Sequence, residues 1–142
     1  MADPDVLVDS SIWIEGLSPQ AIGPLRTALR SLIEANRVVV TEMVRLEVIA
    51  GARSLEEFKG FRSDFEALRC LATTPREWLR AEELTFILHR RGLHVPATDL
   101  LIAAVALGHR IPLWHADRDF ERIRQVMPEL KTHWHPRHTP AL

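Results

Sequence analysis

The sequence predicts an α/β fold, three layers α/β/α about a central and mostly parallel sheet. Three observations predict it. Short β-branched and apolar runs, Val6-Leu7-Val8, Arg37-Val38-Val39-Val40-Thr41 and Pro112-Leu113-Trp114-His115, read as buried strands. Segments with apolar residues at helical spacing separate them, and strands that alternate with helices pair in parallel through crossovers. Segment 96–108 is apolar on nearly every face, so it reads as a helix covered on all sides.

The elements follow in order. The first strand ends at Asp9, and the Ser10 and Ser11 hydroxyls suit the start of a helical turn carrying Ile12, Trp13 and Ile14. Gly16 to Pro19 is a break. Residues 20–35 read as a helix through Ile22, Leu25, Leu29, Leu32 and Ile33. After the second strand, Met43, Val44, Leu46, Val48 and Ile49 mark a helix that ends near Gly51, with Glu47 inside it. Ser54 is an N-cap followed by Glu56 and Glu57, and that helix runs to about Leu68. Leu71-Ala72 reads as a short strand. Pro75 opens a helix that ends near Gly92, since its missing N–H costs nothing in a first turn. Residues 96–108 form the buried helix with Asp99 in its first turn. After the Pro112–His115 strand, residues 116–120 turn into a helix carrying Ile123 and Val126. Residues 130–134 read as a last edge strand.

A chain of 142 residues, 46% hydrophobic and 26% charged, fits one domain with a core that needs no disulfide. We expect that domain over residues 1–135 and a loose tail over 136–142, which contains two prolines. The single cysteine, Cys70, excludes an intrachain disulfide. It sits near Ala67, Leu68 and Leu71 and is expected to be a small core residue. Acids stand where a signal peptide needs a basic start, and no apolar run reaches the roughly 20 residues of a membrane span, so a cytoplasmic protein is expected. The net charge of −1 argues against a simple, strongly basic nucleic-acid binder. It leaves a nuclease open, because a metal-holding acidic cluster cancels basic residues elsewhere.

Four acids stand out. Asp9 ends the first strand, Asp117 follows the 112–115 strand, Asp99 opens the buried helix and Glu47 interrupts an apolar one. In parallel α/β sheets ligands bind beyond the carboxyl ends of the strands, where all four side chains can reach. Each has a local alternative: a helix-start role for Asp99, a salt bridge to Arg45 or Arg53 for Glu47, an N-cap for Asp117, and hydrogen bonds from the Ser11 and Ile12 amides for Asp9. A carboxylate buried alone is costly, so four together point to a hard cation, Mg²⁺ or Mn²⁺, which prefers oxygen ligands. Zinc fits less well, since His115 is the one His placed with them.

At these positions the chain resembles a family. LVDSSIWIEGL, VTEMVRLEVIAGAR, VPATDLLIAAVAL and LWHADRDFERI, in that order, resemble the four motifs of PIN-domain proteins, and carry Asp9, Glu47, Asp99 and Asp117. Length and wording look most like the VapC-type toxins of bacterial toxin–antitoxin modules. That resemblance implies a Mg²⁺-dependent endoribonuclease, with Mn²⁺ as substitute, that cuts tRNA or ribosomal RNA and leaves 3′-hydroxyl and 5′-phosphate ends. It also implies a VapB-type antitoxin and a homodimer. Asp9, Asp99 and Asp117 would hold the ion, and Glu47 a second ion or a water. The family often has Thr or Ser two residues before the fourth acid, where this chain has His115. His115 either supports Asp117, contacts phosphate, titrates near neutral pH or packs locally. Asp119 competes with Asp117 for the fourth place, and Ser11 is a candidate supporting residue. A silent RNA- or protein-binding module and a structure-specific DNA nuclease are the alternative functions.

Other features stay secondary. His133, His135 and His138 read as adventitious. His89, Arg90, Arg91 and His94 form a basic patch that is either an RNA track or a solvated helix end. Trp13 reads as core or dimer interface, and Trp78 and Trp114 as core.

Overall fold

The computed structural model describes residues 3–17 and 23–135. The expected tail over 136–142 with His138, and the helix start expected at 20–22, lie outside them.

The described residues form β1 (Val6–Val8), α1 (Ser10–Leu17), α2 (Gly23–Glu34), β2 (Val38–Thr41), α3 (Glu42–Ala50), α4 (Leu55–Glu66), β3 (Arg69–Leu71), α5 (Pro75–Arg90), α6 (Ala97–His109), β4 (Leu113–His115), α7 (Arg118–Val126) and β5 (Thr132–Trp134). The sheet order is β3-β2-β1-β4-β5. Every pairing is parallel, so the sheet is parallel throughout. The central strands are apolar apart from Thr41 and His115 at their carboxyl ends, because both faces are covered: Leu7, Val8, Val39, Val40 and Leu113 have no exposure.

The order of strands fixes where a crevice opens. From β1 the chain steps outward to β2 and β3, then returns past β1 to β4 and steps the other way to β5. Right-handed crossovers put α1–α4 on one face and α5–α7 on the other. Packing agrees: α1 touches α2 and α3, α3 touches α4, and α5, α6 and α7 touch one another. The direction reverses between β1 and β4, and beyond their carboxyl ends the two helix layers part.

Local signals set the boundaries. Thr41 caps α3 through its hydroxyl to the Val44 N–H at 3.1 Å. Ser54 caps α4 through Glu57 N–H at 3.0 Å. Thr74 and Glu77 form a capping box at the start of α5, with Pro75 in its first turn. Strand β3 covers Arg69–Leu71 rather than the expected 71–72, because its register is set by pairing with Val39, Val40 and Thr41.

Helix α6 is the centre of the second layer, with all eight residues from Asp99 to Ala106 buried. Substituting Ile102→Ala, at a site with 0% exposure, should lower unfolding free energy by about 2–5 kcal/mol. Leu46→Ala, at 62% exposure, should change it by less than about 0.5 kcal/mol. Urea denaturation of both variants checks this; equal effects would contradict the burial described.

Candidate metal centre

Asp9 directly follows β1, and its N–H donates to the Trp114 carbonyl at 2.9 Å, which ties the ends of β1 and β4 together. The Asp9 carbonyl accepts from Ile12 and Trp13 N–H, opening α1. One carboxylate oxygen, Oδ2, accepts from the Ser11 N–H at 3.0 Å and the Ser11 hydroxyl at 2.6 Å. The other, Oδ1, is buried with no hydrogen-bond partner. Burial pushes the Asp9 carboxyl up, against the pull of the Ser11 and Ser10 hydrogen bonds. Ser11 also joins the two central strands, since its Oγ accepts the Ala116 N–H at 2.9 Å.

Glu47 enters from α3, which packs on α1. Its Oε1 accepts the Ser10 hydroxyl at 3.2 Å. Burial, then the charges of Asp9 and Asp117, push its carboxyl up. Among the described residues no ion pair joins Glu47 to Arg45 or Arg53.

Asp99, in the first turn of α6, is 6% exposed. Burial raises its carboxyl to about 8, helped by Asp117, Asp9, Glu47 and Asp119. Asp117 caps α7, its Oδ1 accepting the Asp119 N–H at 3.0 Å. One carboxylate oxygen each from Asp99, Asp117 and Asp119 lies within 4.8 Å of the others. The four expected acids therefore meet at the switch point, with Asp119, the alternate to Asp117, beside them. Asp119 also accepts from Arg122 at 3.0 Å. The N-cap of α7 is Asp117.

His115 has no exposure. Its Nε2 lies 2.7 Å from Glu121 Oε2, and its Nδ1 accepts the Asp117 N–H at 3.1 Å. Phe120 packs on the ring at 5.0 Å and Trp134 stacks at 6.5 Å. A ring so enclosed supports Asp117 and contacts no phosphate. Burial pushes its pKa down, against Glu121, Asp9 and Asp117, so the ring is held neutral. The sequence reading did not single out Ser10 or Glu121. Glu121 stands one helical turn after Asp117, a spacing that could have flagged it.

Five carboxylates converge, two of them largely stripped of water, and the orphaned Asp9 Oδ1 has no protein donor to meet. Like charges so placed are stabilised by a cation, and an all-oxygen set suits a hard divalent one. Asp9, Asp99, Asp117 and Asp119 could hold it, with Glu47 at the edge.

Three expectations outside the centre change. Cys70 is exposed, on β3, the edge strand of the sheet. Trp78 is 53% exposed on the outer face of α5, and Trp114 is half-buried, while Trp13 is core, donating to the Val8 carbonyl and lying edge-on to Phe65. The residues His89, Arg90, Arg91 and His94 are exposed, at the end of α5 that leads into the start of α6 where Asp99 lies. His133 lies in β5, and the His135 Nε2 is 3.7 Å from Glu15. No helix among the described residues is long and apolar enough to cross a membrane.

The sign of the Asp99 shift gives a test. With its carboxyl near 8 in the fold against 3.8 ordinarily, folding of the metal-free chain takes up a proton between those values. Stability in EDTA should therefore fall as pH rises from about 4 to about 8, and Asp99→Asn should flatten that fall. A saturating divalent cation should raise the thermal midpoint more at the alkaline end, where protons no longer compete. Scanning fluorimetry across pH checks this; an unchanged slope in Asp99→Asn would remove Asp99 as its source.

A family model described as PIN domain matches residues 6–126. Ribonuclease VapC21 of Mycobacterium tuberculosis is 37% identical over 107 residues, covering 72% of this chain and 76% of that protein. Ribonuclease VapC51 of the same organism is 34% identical over 123 residues, covering 84% and 85%. The crystal structure of VapBC2 from Rickettsia felis bound to a DNA fragment from their promoter superposes with a TM-score of 0.74 at 19% identity, covering 92% of this chain and 98% of that one. That of Mycobacterium tuberculosis VapC20, a Sarcin-Ricin loop cleaving toxin, gives 0.63 at 18% identity, covering 82% and 93%. Fold, motif order and relatives agree: the chain belongs to the PIN-domain family and is of the VapC type.

Proposed function

We propose that this chain is a magnesium-dependent endoribonuclease, the toxin of a toxin–antitoxin pair, which cleaves tRNA or ribosomal RNA and is silenced by a VapB-type antitoxin. The observation that carries the reading is the convergence of Asp9, Glu47, Asp99, Asp117 and Asp119 at the switch point, with Asp9 Oδ1 buried and unpartnered. A silent binding module has no physical reason to keep these repelling charges together. Relatives named ribonucleases, and solved neighbours that are VapBC complexes, support the substrate and partner classes. The exposed basic turn at 89–94 supports a phosphate-bearing substrate.

A bound Mg²⁺, or Mn²⁺ in its place, supplies Lewis acidity toward the phosphate and lowers the pKa of a water. Asp9, Asp99 and Asp117 hold the ion, directly or through water, with Asp119 in the same oxygen set. Ser11 holds the Asp9 carboxylate through Oδ2 and leaves Oδ1 unpartnered, and His115 holds the backbone of Asp117. Glu47, half-buried at the edge, binds a second ion or orients water. The reading includes one domain over 1–135, a homodimer and a cytoplasmic location.

Purified protein should cut RNA with Mg²⁺ and not with EDTA, leaving 3′-hydroxyl and 5′-phosphate ends. Asp9→Asn and Asp99→Asn should each lower the rate at least about 100-fold while the variants stay folded. Both should also relieve growth arrest on expression. Cyclic 2′,3′-phosphate ends would exclude a water nucleophile, cleavage of DNA alone would make this a DNA nuclease, and RNA retention without cleavage at any Mg²⁺ or Mn²⁺ concentration would make it a binding module.

A further inference from the structure

The segment from His115 to Asp119 is fixed by side chains that hold its backbone N–H groups. The Ala116 N–H is held by Ser11 Oγ at 2.9 Å. The Asp117 N–H is held by His115 Nδ1 at 3.1 Å. Because that N–H is a donor, Nδ1 must carry the lone pair, so in the neutral ring the proton sits on Nε2. Nε2 lies 2.7 Å from Glu121 Oε2. The opposite tautomer would set two N–H groups against each other at Nδ1 and leave a buried nitrogen lone pair facing a carboxylate.

Glu121 is itself held. Its Oε1 accepts from Arg124 at 3.3 Å. Burial alone would push its carboxyl up, but hydrogen bonds from Thr132, His115 and Arg124 outweigh that and leave it lowered, so it is ionised and purely an acceptor. The relay runs from Arg124 through Glu121 and His115 to the backbone of Asp117. Asp117 supplies one of the oxygens that stand within 4.8 Å of those of Asp99 and Asp119.

We propose that Glu121 is a positioning residue of the acidic centre: by accepting the Nε2–H of His115 it selects the tautomer that grips the Asp117 N–H, and so sets where the Asp117 carboxylate stands against Asp99 and Asp119. The inference rests on reading Asp117 as a ligand. Glu121 touches neither ion nor substrate in it. The effect belongs with outer hydrogen-bond partners of ligating carboxylates, whose removal costs about 10–100-fold in affinity or activity.

The test uses the full chain and Mn²⁺ alone as the probe. Nitrogen-15 spectra of the His115 ring should show a single Nε2–H tautomer in the parent protein. Glu121→Ala should mix the tautomers, and should weaken Mn²⁺ binding, read by titration calorimetry, by about tenfold. Glu121→Gln keeps an acceptor oxygen at the same reach and should stay within about threefold of the parent, well inside that range. In a His115→Asn background the Asn side chain can take the Asp117 N–H without help from α7. There Glu121→Ala should bring no further loss of affinity, which makes the two sites non-additive. A Glu121→Ala protein that only melts earlier, with tautomer and Mn²⁺ affinity unchanged, would overturn the proposal. So would an equal loss with and without His115. Asp117→Asn separates the two readings: if it binds Mn²⁺ as the parent does, Asp117 is not a ligand, whereas loss in Asp117→Asn with none in Glu121→Ala defeats the relay alone.

Discussion

Repulsion among carboxylates held close together with little water is the constraint to which the rest of the structure answers. Asp9 and Asp99 are nearly excluded from solvent, and the charge of Asp9 pushes up the carboxyls of both Asp99 and Glu47. A cluster of this kind works against folding of the metal-free chain, so the frame around it must be stable independently. That frame is the parallel sheet with its unexposed central strands, and helix α6, whose buried face runs from Asp99 onward. The apolar character of α6 belongs to the same arrangement as the acid in its first turn, because a buried helix is what carries Asp99 into the crevice.

The topology decides which acids meet. Asp9 and Asp117 come from the two strands that flank the reversal of winding, while Glu47 and Asp99 come from helices in opposite layers. Ser11 is the joint between the two strand tips, donating to Asp9 and accepting from Ala116. His115 plays the matching part on the β4 side. The Asp9 and Asp117 carboxylates are thus fixed by backbone hydrogen bonds made next to each acid.

Much of this was legible in the sequence because it follows from periodicity and position. Runs such as Val38-Val39-Val40 mark strands buried on both faces, and the all-round apolar stretch from Leu100 to Leu107 marks a covered helix. Asp9, Glu47, Asp99 and Asp117 stood out because each is an ionisable group where the pattern demands an apolar one or a strand ends. What was hidden depends on tertiary geometry. Cys70 looks like core in a run of apolar neighbours, and only the strand order reveals that β3 is an edge. Trp78 is bulky and apolar yet lies on an outer helix face. Asp119 looked like a competitor of Asp117, because sequence spacing does not show that a helix N-terminus can point two carboxylates at one spot. Glu121 looked like an ordinary charge on the polar side of α7; its partner is a histidine on a strand, and no helical or strand period links the two.

The acids are not equivalent, and the difference is physical. Asp9 and Asp117 each give one oxygen to a backbone N–H close by in sequence, so their orientation is set before any ion arrives. Asp99 is instead placed by its helix and is the group most strongly opposed by its neighbours. A hard cation at this centre, as proposed, would find Asp9 and Asp117 already oriented, and its charge would offset the repulsion that falls chiefly on Asp99. Such an ion would also tie the ends of β1 and β4 to the start of α6. The apolar packing lies beneath the acids, in the sheet and α6, and the polar groups gather at the crevice above it.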